Sequence, residues 1–149
     1  VDLADRLKRL GETYGEMIQI HDDLNDCLAV PANPDWLEGR SPLPILYAKV
    51  VDHPDRARFL ALLENIGAAG ALEEAQAILI RCGAVSYCVD QLLRRDQSAR
   101  AMLDAVPLTR REKVDALFDG VIAPVYKLFE AMGDAPLKPA MRSERAVPG

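Results

Sequence analysis

The sequence predicts an all-α protein, and three observations predict it. Apolar residues recur at three- and four-residue steps over long stretches, the period of a helix with one buried face. Ala and Leu dominate a composition that is 50% hydrophobic but only 5% aromatic, which suits helices better than sheets. No stretch alternates apolar and polar residues between turn signals, so no strand is expected. At 149 residues the chain suits one domain with a sizeable core, and no internal repeat suggests otherwise.

The first helix is expected over residues 2 to about 30. Leu3, Leu7, Leu10, Tyr14, Met17, Leu24 and Leu28 form its apolar stripe, and Pro31 and Pro34 must stop it soon after. His21 falls in that stripe as a packed histidine. A second face carries Gly15, Gln19, Asp22 and Asp26 one turn apart, with Asp23 beside them. Gly11 lies on or next to the same face. Each mid-helix glycine costs roughly 1 kcal/mol against alanine, so two on one side imply that something approaches closely, either a neighbouring helix or a ligand.

The acids sit near the helix C-terminus, where they face the negative end of the dipole and repel one another. A cation there would reverse that cost. Mg²⁺ prefers carboxylate oxygens, keeps several waters and takes other ligands from substrate phosphates. The alternative is a solvated acidic helix end.

Residues 31–40 read as a loop, with Trp36 available to cover the end of the first helix and Gly39 letting the chain turn before Arg40. Arg40 can hold diphosphate oxygens bidentately, or can pair on the surface with Glu38. Ser41 reads as an N-cap with Pro42 in the first turn of a short helix to about Val51. His53 is a turn residue. Pro54 to about Asn65 is a third helix, Gly67 and Gly70 break the chain, and Leu72–Cys82 is a fourth with Glu73 and Glu74 favourable in its first turn. After a break at Gly83, Val85, Val89, Leu92, Ala99, Leu103 and Val106 trace one face of a long fifth helix, with Arg94 and Arg95 on the solvated side. Pro107 ends it. Thr109 and Glu112 suggest a capping box for the last helix, striped by Val114, Leu117, Phe118, Val121, Ile122, Val125, Leu128 and Phe129 and kinked at Pro124. From Gly133 the residues read as a flexible tail, so the expected division is a helical domain over 1–132 and a tail over 133–149.

Three landmarks, taken together and in order, carry a resemblance. Gly15-x-x-x-Gln19-Ile20-x-Asp22-Asp23-x-x-Asp26 resembles the second aspartate-rich motif of the trans-polyprenyl diphosphate synthases. Asp35-Trp36-Leu37-Glu38-Gly39-Arg40-Ser41-Pro42-Leu43-Pro44-Ile45-Leu46-Tyr47-Ala48 resembles that family's D-x-x-x-G-K-x-T-L-P-x-x-x-A segment, with Arg40 at the Lys position. Gly83-Ala84-Val85-x-Tyr87 is similar to the family's late G-A-I-x-Y helix start. The similarity runs from about residue 3 to residue 118 and corresponds to the C-terminal half of a synthase.

The resemblance implies an antiparallel helical bundle of the isoprenoid synthase type, incomplete at its N-terminus. It implies a Mg²⁺-dependent prenyltransferase that condenses isopentenyl diphosphate with an allylic diphosphate. Asp22, Asp23 and Asp26 would be the catalytic, metal-holding residues. Arg40 and Gln19 would meet the diphosphate, with Gln19 orienting the motif or facing the hydrocarbon chain. Two departures matter. The sequence contains no other Asp-Asp-x-x-Asp, whereas the family walls its cavity with two such helices. The link from Cys27 to Pro34 contains no basic residue, whereas many members carry a diphosphate-binding lysine in a longer loop there.

Such a chain is expected to elongate no substrate alone, and to self-associate or to pair with the missing half. A terpene cyclase and a non-catalytic helical partner or remnant are the alternatives. The cyclase motif fits poorly, because its hydroxyl position falls on Ala29. A net charge of −5 argues against a nucleic-acid surface. Cys27, Cys82 and Cys88 lack metal spacing and read as reduced structural thiols. No apolar run is long enough to span a membrane, and the expected location is the cytoplasm.

Overall fold

The first helix, α1, spans Leu3–Leu28 in the computed structural model, which describes residues 2–31 and 34–132. Its C-cap, Ala29, is already extended (φ −65°, ψ 143°), as expected two residues before a proline that disfavours helix at its neighbour. The remaining helices are α2 (Pro34–Glu38), α3 (Leu43–Val50), α4 (Arg56–Glu64), α5 (Ala71–Arg81), α6 (Ala84–Asp104) and α7 (Arg111–Met132), with no strand among the described residues. The protein is therefore all-α, as composition and periodicity predict. The expected tail, 133–149, lies outside the described residues.

The centre of the fold is the pairing of α1 with α6, its most extensive helix–helix contact. The two run antiparallel: Glu16 meets Arg95, and Cys27 lies beside Cys88. α7 returns antiparallel to α6, tied by Arg100 to Asp115 and Asp119 and by Arg111 to Asp104. That brings α7 parallel to α1, with Tyr14 edge-on to Phe118 at 5.3 Å. The core between these three helices is built from Met17, Leu24, Val89, Leu92, Phe118 and Val125, all nearly inaccessible to solvent. No polar or charged side chain is buried among the described residues. The stability of this centre is thus hydrophobic in origin.

Short helices close the remaining side. α3 packs on α1 and α6, and α4 and α5 form a pair beneath it. Bidentate Arg58–Glu74 and Arg81–Asp55 contacts tie that region together. α5 also finishes α1. The last carbonyls of a helix have no partner of their own, and the Gln76 side-chain amide donates to the carbonyls of Cys27 (3.0 Å) and Ala29 (3.1 Å). Gln76→Ala is expected to lower the unfolding free energy by about 1 kcal/mol, the net worth of a half-buried hydrogen bond. Urea denaturation checks it, and an unchanged midpoint would mean that water replaces the cap without loss.

Several expectations need correction. Residues 34–38 are not loop but a short helix, α2, because Pro34 is well placed in a first helical turn. Within it Trp36 is 3% exposed, edge-on to Phe59 at 6.3 Å in the α4 region of the core. Ser41 is not the N-cap of α3. The N-cap position is Pro42, and the first amide, Leu43 N–H, donates to the Asp23 carboxylate of α1 at 2.9 Å. Leu3 and Leu7 are exposed, because Tyr14 is already level with Phe118, so the first turns of α1 run level with or beyond the start of α7. Leu117 is likewise exposed, on the outer face of α7. Pro124 lies inside α7, as expected, and the helix spans it without a break. Gly83 adopts φ +90° between α5 and α6, a left-handed conformation that glycine takes without penalty.

Candidate functional site

A cavity of about 370 Å³ opens where α1, α3 and α6 meet. α1 contributes Glu16, Gln19, Ile20 and Asp23, an i, i+3, i+4, i+7 set that occupies one helical face. The chain entering α3 contributes Ser41, and α3 itself contributes Leu43 and Leu46. From α6 comes Arg95. The lining therefore combines carboxylate and amide oxygens from α1, a guanidinium from α6 paired with Glu16, and the apolar side chains of Ile20, Leu43 and Leu46.

Asp23 is the hinge of this geometry. Its Oδ2 accepts the Leu43 amide, so the N-terminus of α3 is anchored to α1 across the cavity rim. A carboxylate at a helix N-terminus also meets the positive end of its dipole. Ser41 Oγ accepts a hydrogen bond from Lys49 Nζ at 3.0 Å, which draws an ammonium toward the same rim. Arg95 is held by two residues. Its Nε donates to Glu16 Oε2 at 2.8 Å and its Nη1 to Gln91 Oε1 at 2.8 Å. Behind the site, burial pushes the thiols of Cys27 and Cys88 up to about 12, so both stay protonated at neutral pH and are packing groups.

The sequence-predicted residues divide. Gln19 and Asp23 line the cavity. Asp22 does not; its side chain is 66% exposed, and its Oδ1 lies 3.3 Å from His21 Nδ1. His21 is half-buried on that side, with the Asn25 amide 3.2 Å from its Nε2. Asp26 is half-buried outside the cavity lining. Arg40 is exposed at the surface with its Nε 3.3 Å from Glu38, the pairing that its neighbours permitted. Around α1, residues 22 and 23 differ in direction by about 100°. The cavity takes the Asp23 side of the helix and leaves Asp22 to solvent. A Cβ added to Gly11 or Gly15 would meet nothing within 4 Å, so no helix of the described chain packs closely over them.

Two cavity residues, Glu16 and Arg95, were not read as site residues from the sequence. Arg95 was expected on the solvated side of its helix, and Arg94 does fit that description, paired with Asp90 at 72% exposure. Arg95 instead turns to Glu16 and is 30% exposed. The one local signal was that Glu16 shares a helix face with Gln19 and Asp23.

The fit to Mg²⁺ can be judged from the donors present. Asp22, Asp23 and Asp26 offer the carboxylate oxygens that this cation prefers. Among the described residues no three His, Cys, Asp or Glu side chains converge closely enough to hold a metal by themselves. Of these three carboxylates only Asp23 lines the cavity, where its Oδ2 already accepts the Leu43 amide. No described helix is long and apolar enough to cross a membrane. Comparison of the chain with protein-family models, with curated proteins and with solved structures finds no match.

Proposed function

We propose that the cavity under α1 receives the diphosphate head of an isoprenoid substrate and forms one wall of a polyprenyl diphosphate synthase site. The observation that carries this reading is the mixed lining of the cavity: carboxylate, amide and guanidinium groups at one side, with Ile20, Leu43 and Leu46 beside them. An anionic head joined to an apolar chain is the ligand class for which such a lining is complementary. The three sequence landmarks point to the same class.

In the proposed reaction the allylic substrate loses its diphosphate as the C–O bond breaks. The double bond of isopentenyl diphosphate then forms a new C–C bond with the allylic carbon, and a proton leaves the adduct. Asp23, which lines the cavity, would be the first carboxylate to meet a Mg²⁺ ion carried by the diphosphate, with Asp22 and Asp26 flanking it outside the lining; the ion when bound neutralises charge on the departing diphosphate. Gln19 would orient the head group from the α1 wall. Arg40, one residue before Ser41, would steer the anion at the entrance.

Calorimetry with geranyl diphosphate tests the reading directly. Mg²⁺ is expected to tighten binding by on the order of tenfold over EDTA, equivalent to about 1.4 kcal/mol. That gain should disappear in both Asp22→Ala and Asp23→Ala. A Mg²⁺ effect of equal size in all three proteins would remove the assignment. The competing reading is a non-catalytic helical binding module, favoured by the absence of three convergent ligands among the described residues. It expects no preference for diphosphates at all.

A further inference from the structure

We infer that Arg95 is the phosphate-binding cation of the cavity and that Glu16 is an internal anion which a diphosphate displaces from it. The inference rests on the diphosphate reading above and adds to it a residue pair that carries no sequence motif.

Three features of Arg95 support it. It is the one guanidinium among the cavity-lining residues. It is held in place from its own helix, because Gln91 binds Nη1 through its side-chain oxygen at 2.8 Å and its carbonyl at 3.3 Å. That restraint survives the loss of Glu16, so the fork stays oriented when its anion changes. Finally, Nη2 has no hydrogen-bond partner among the described residues, which leaves a donor for a second oxygen. A guanidinium binds phosphate through two parallel donors, a geometry that one Glu16 oxygen on Nε does not use.

Glu16 has the properties of a replaceable partner. Its side chain is 59% exposed, and among the described residues its hydrogen-bond partner is Arg95 at 2.8 Å. Exposed ion pairs contribute little, because water solvates the carboxylate nearly as well. A diphosphate carries more charge than a carboxylate and can also accept from the Gln19 amide and the Ser41 hydroxyl, whose own oxygen is occupied by Lys49. Glu16 thereby sets a threshold: weakly charged ligands fail to displace it, and a diphosphate succeeds.

The test is a ³¹P NMR titration of inorganic pyrophosphate in EDTA at fixed ionic strength, with circular dichroism confirming helix content in each protein. The wild-type chain is expected to bind. Arg95→Gln should weaken binding at least about tenfold, with Arg95→Lys between the two, since an ammonium keeps the charge but loses the fork. Glu16→Gln should strengthen it about threefold to tenfold, the release of a competing anion. Arg94→Gln, one residue away and outside the lining, should shift it by less than about twofold. No binding by wild type overturns the inference, as does equal loss in Arg94→Gln and Arg95→Gln. Should Arg95→Gln lose its helix content, Glu16→Gln decides alone: unchanged or weaker binding overturns the exchange. Geranyl diphosphate with Mg²⁺ separates this inference from the functional reading. Pyrophosphate binding that depends on Arg95 but gains nothing from a prenyl chain keeps the Arg95 site and removes the isoprenoid substrate. Prenyl diphosphate binding that depends on Asp23 and is indifferent to Arg95 does the reverse.

Discussion

Phe118→Ala is expected to lower the unfolding free energy by roughly 3–5 kcal/mol, a large part of the 5–15 kcal/mol typical of a domain. Phe118 is 1% exposed and sits where α7 meets both α1 and α6. Its ring receives the edge of Tyr14 at 5.3 Å and 73°, and the Arg100 guanidinium lies 5.6 Å from its centroid. Arg100 in turn binds Asp96, Asp115 and Asp119. Truncation therefore opens a cavity in the core and removes the platform beneath a charged cluster, two losses that share a cause. Leu117, the preceding residue, is 53% exposed, and Leu117→Ala should change stability by no more than about 0.5 kcal/mol. Urea denaturation followed by circular dichroism compares the two. Similar midpoints for both variants would mean that α7 does not present this face to the core.

Incubated with labelled isopentenyl diphosphate, Mg²⁺ and dimethylallyl, geranyl or farnesyl diphosphate, the 149-residue chain is expected to form no elongated product above background. The sequence contains a single Asp-Asp-x-x-Asp. An allylic diphosphate carries about three negative charges, and its departure concentrates charge on the leaving oxygens. One aspartate-bearing wall and a single lining guanidinium can grip such a group but cannot surround it. Removing one well-placed electrostatic contact typically costs on the order of 100- to 1,000-fold in rate, and if the proposed reading holds, a site walled by a single aspartate-bearing helix should lose far more. Elongation by the purified chain, abolished in Asp22→Ala, would overturn this expectation and mean that two copies complete the site between them. Substrate binding without turnover agrees with it.

The parts of this protein legible in its sequence are local. Helix positions followed from apolar steps of three and four, and breaks followed from Pro31, Gly70, Gly83 and Pro107, because both effects act between neighbours in the chain. The acidic patch on α1 was visible for the same reason. Its orientation was not. Gln19, Asp22, Asp23 and Asp26 all lie on the polar half of α1, and nothing local distinguishes Asp23, which lines the cavity, from Asp22, which faces solvent beside His21.

By itself, then, the sequence determined an all-α chain with a carboxylate-bearing first helix. Only the tertiary structure decided that Asp23 rather than Ser41 caps α3, across 20 residues. The same holds for Arg95, which reaches Glu16 across 79 residues. Helical periodicity records which face of a helix is buried, but not which partner buries it. The partner is chosen when α1 packs against α6, and that packing sets which exposed groups come within hydrogen-bonding distance.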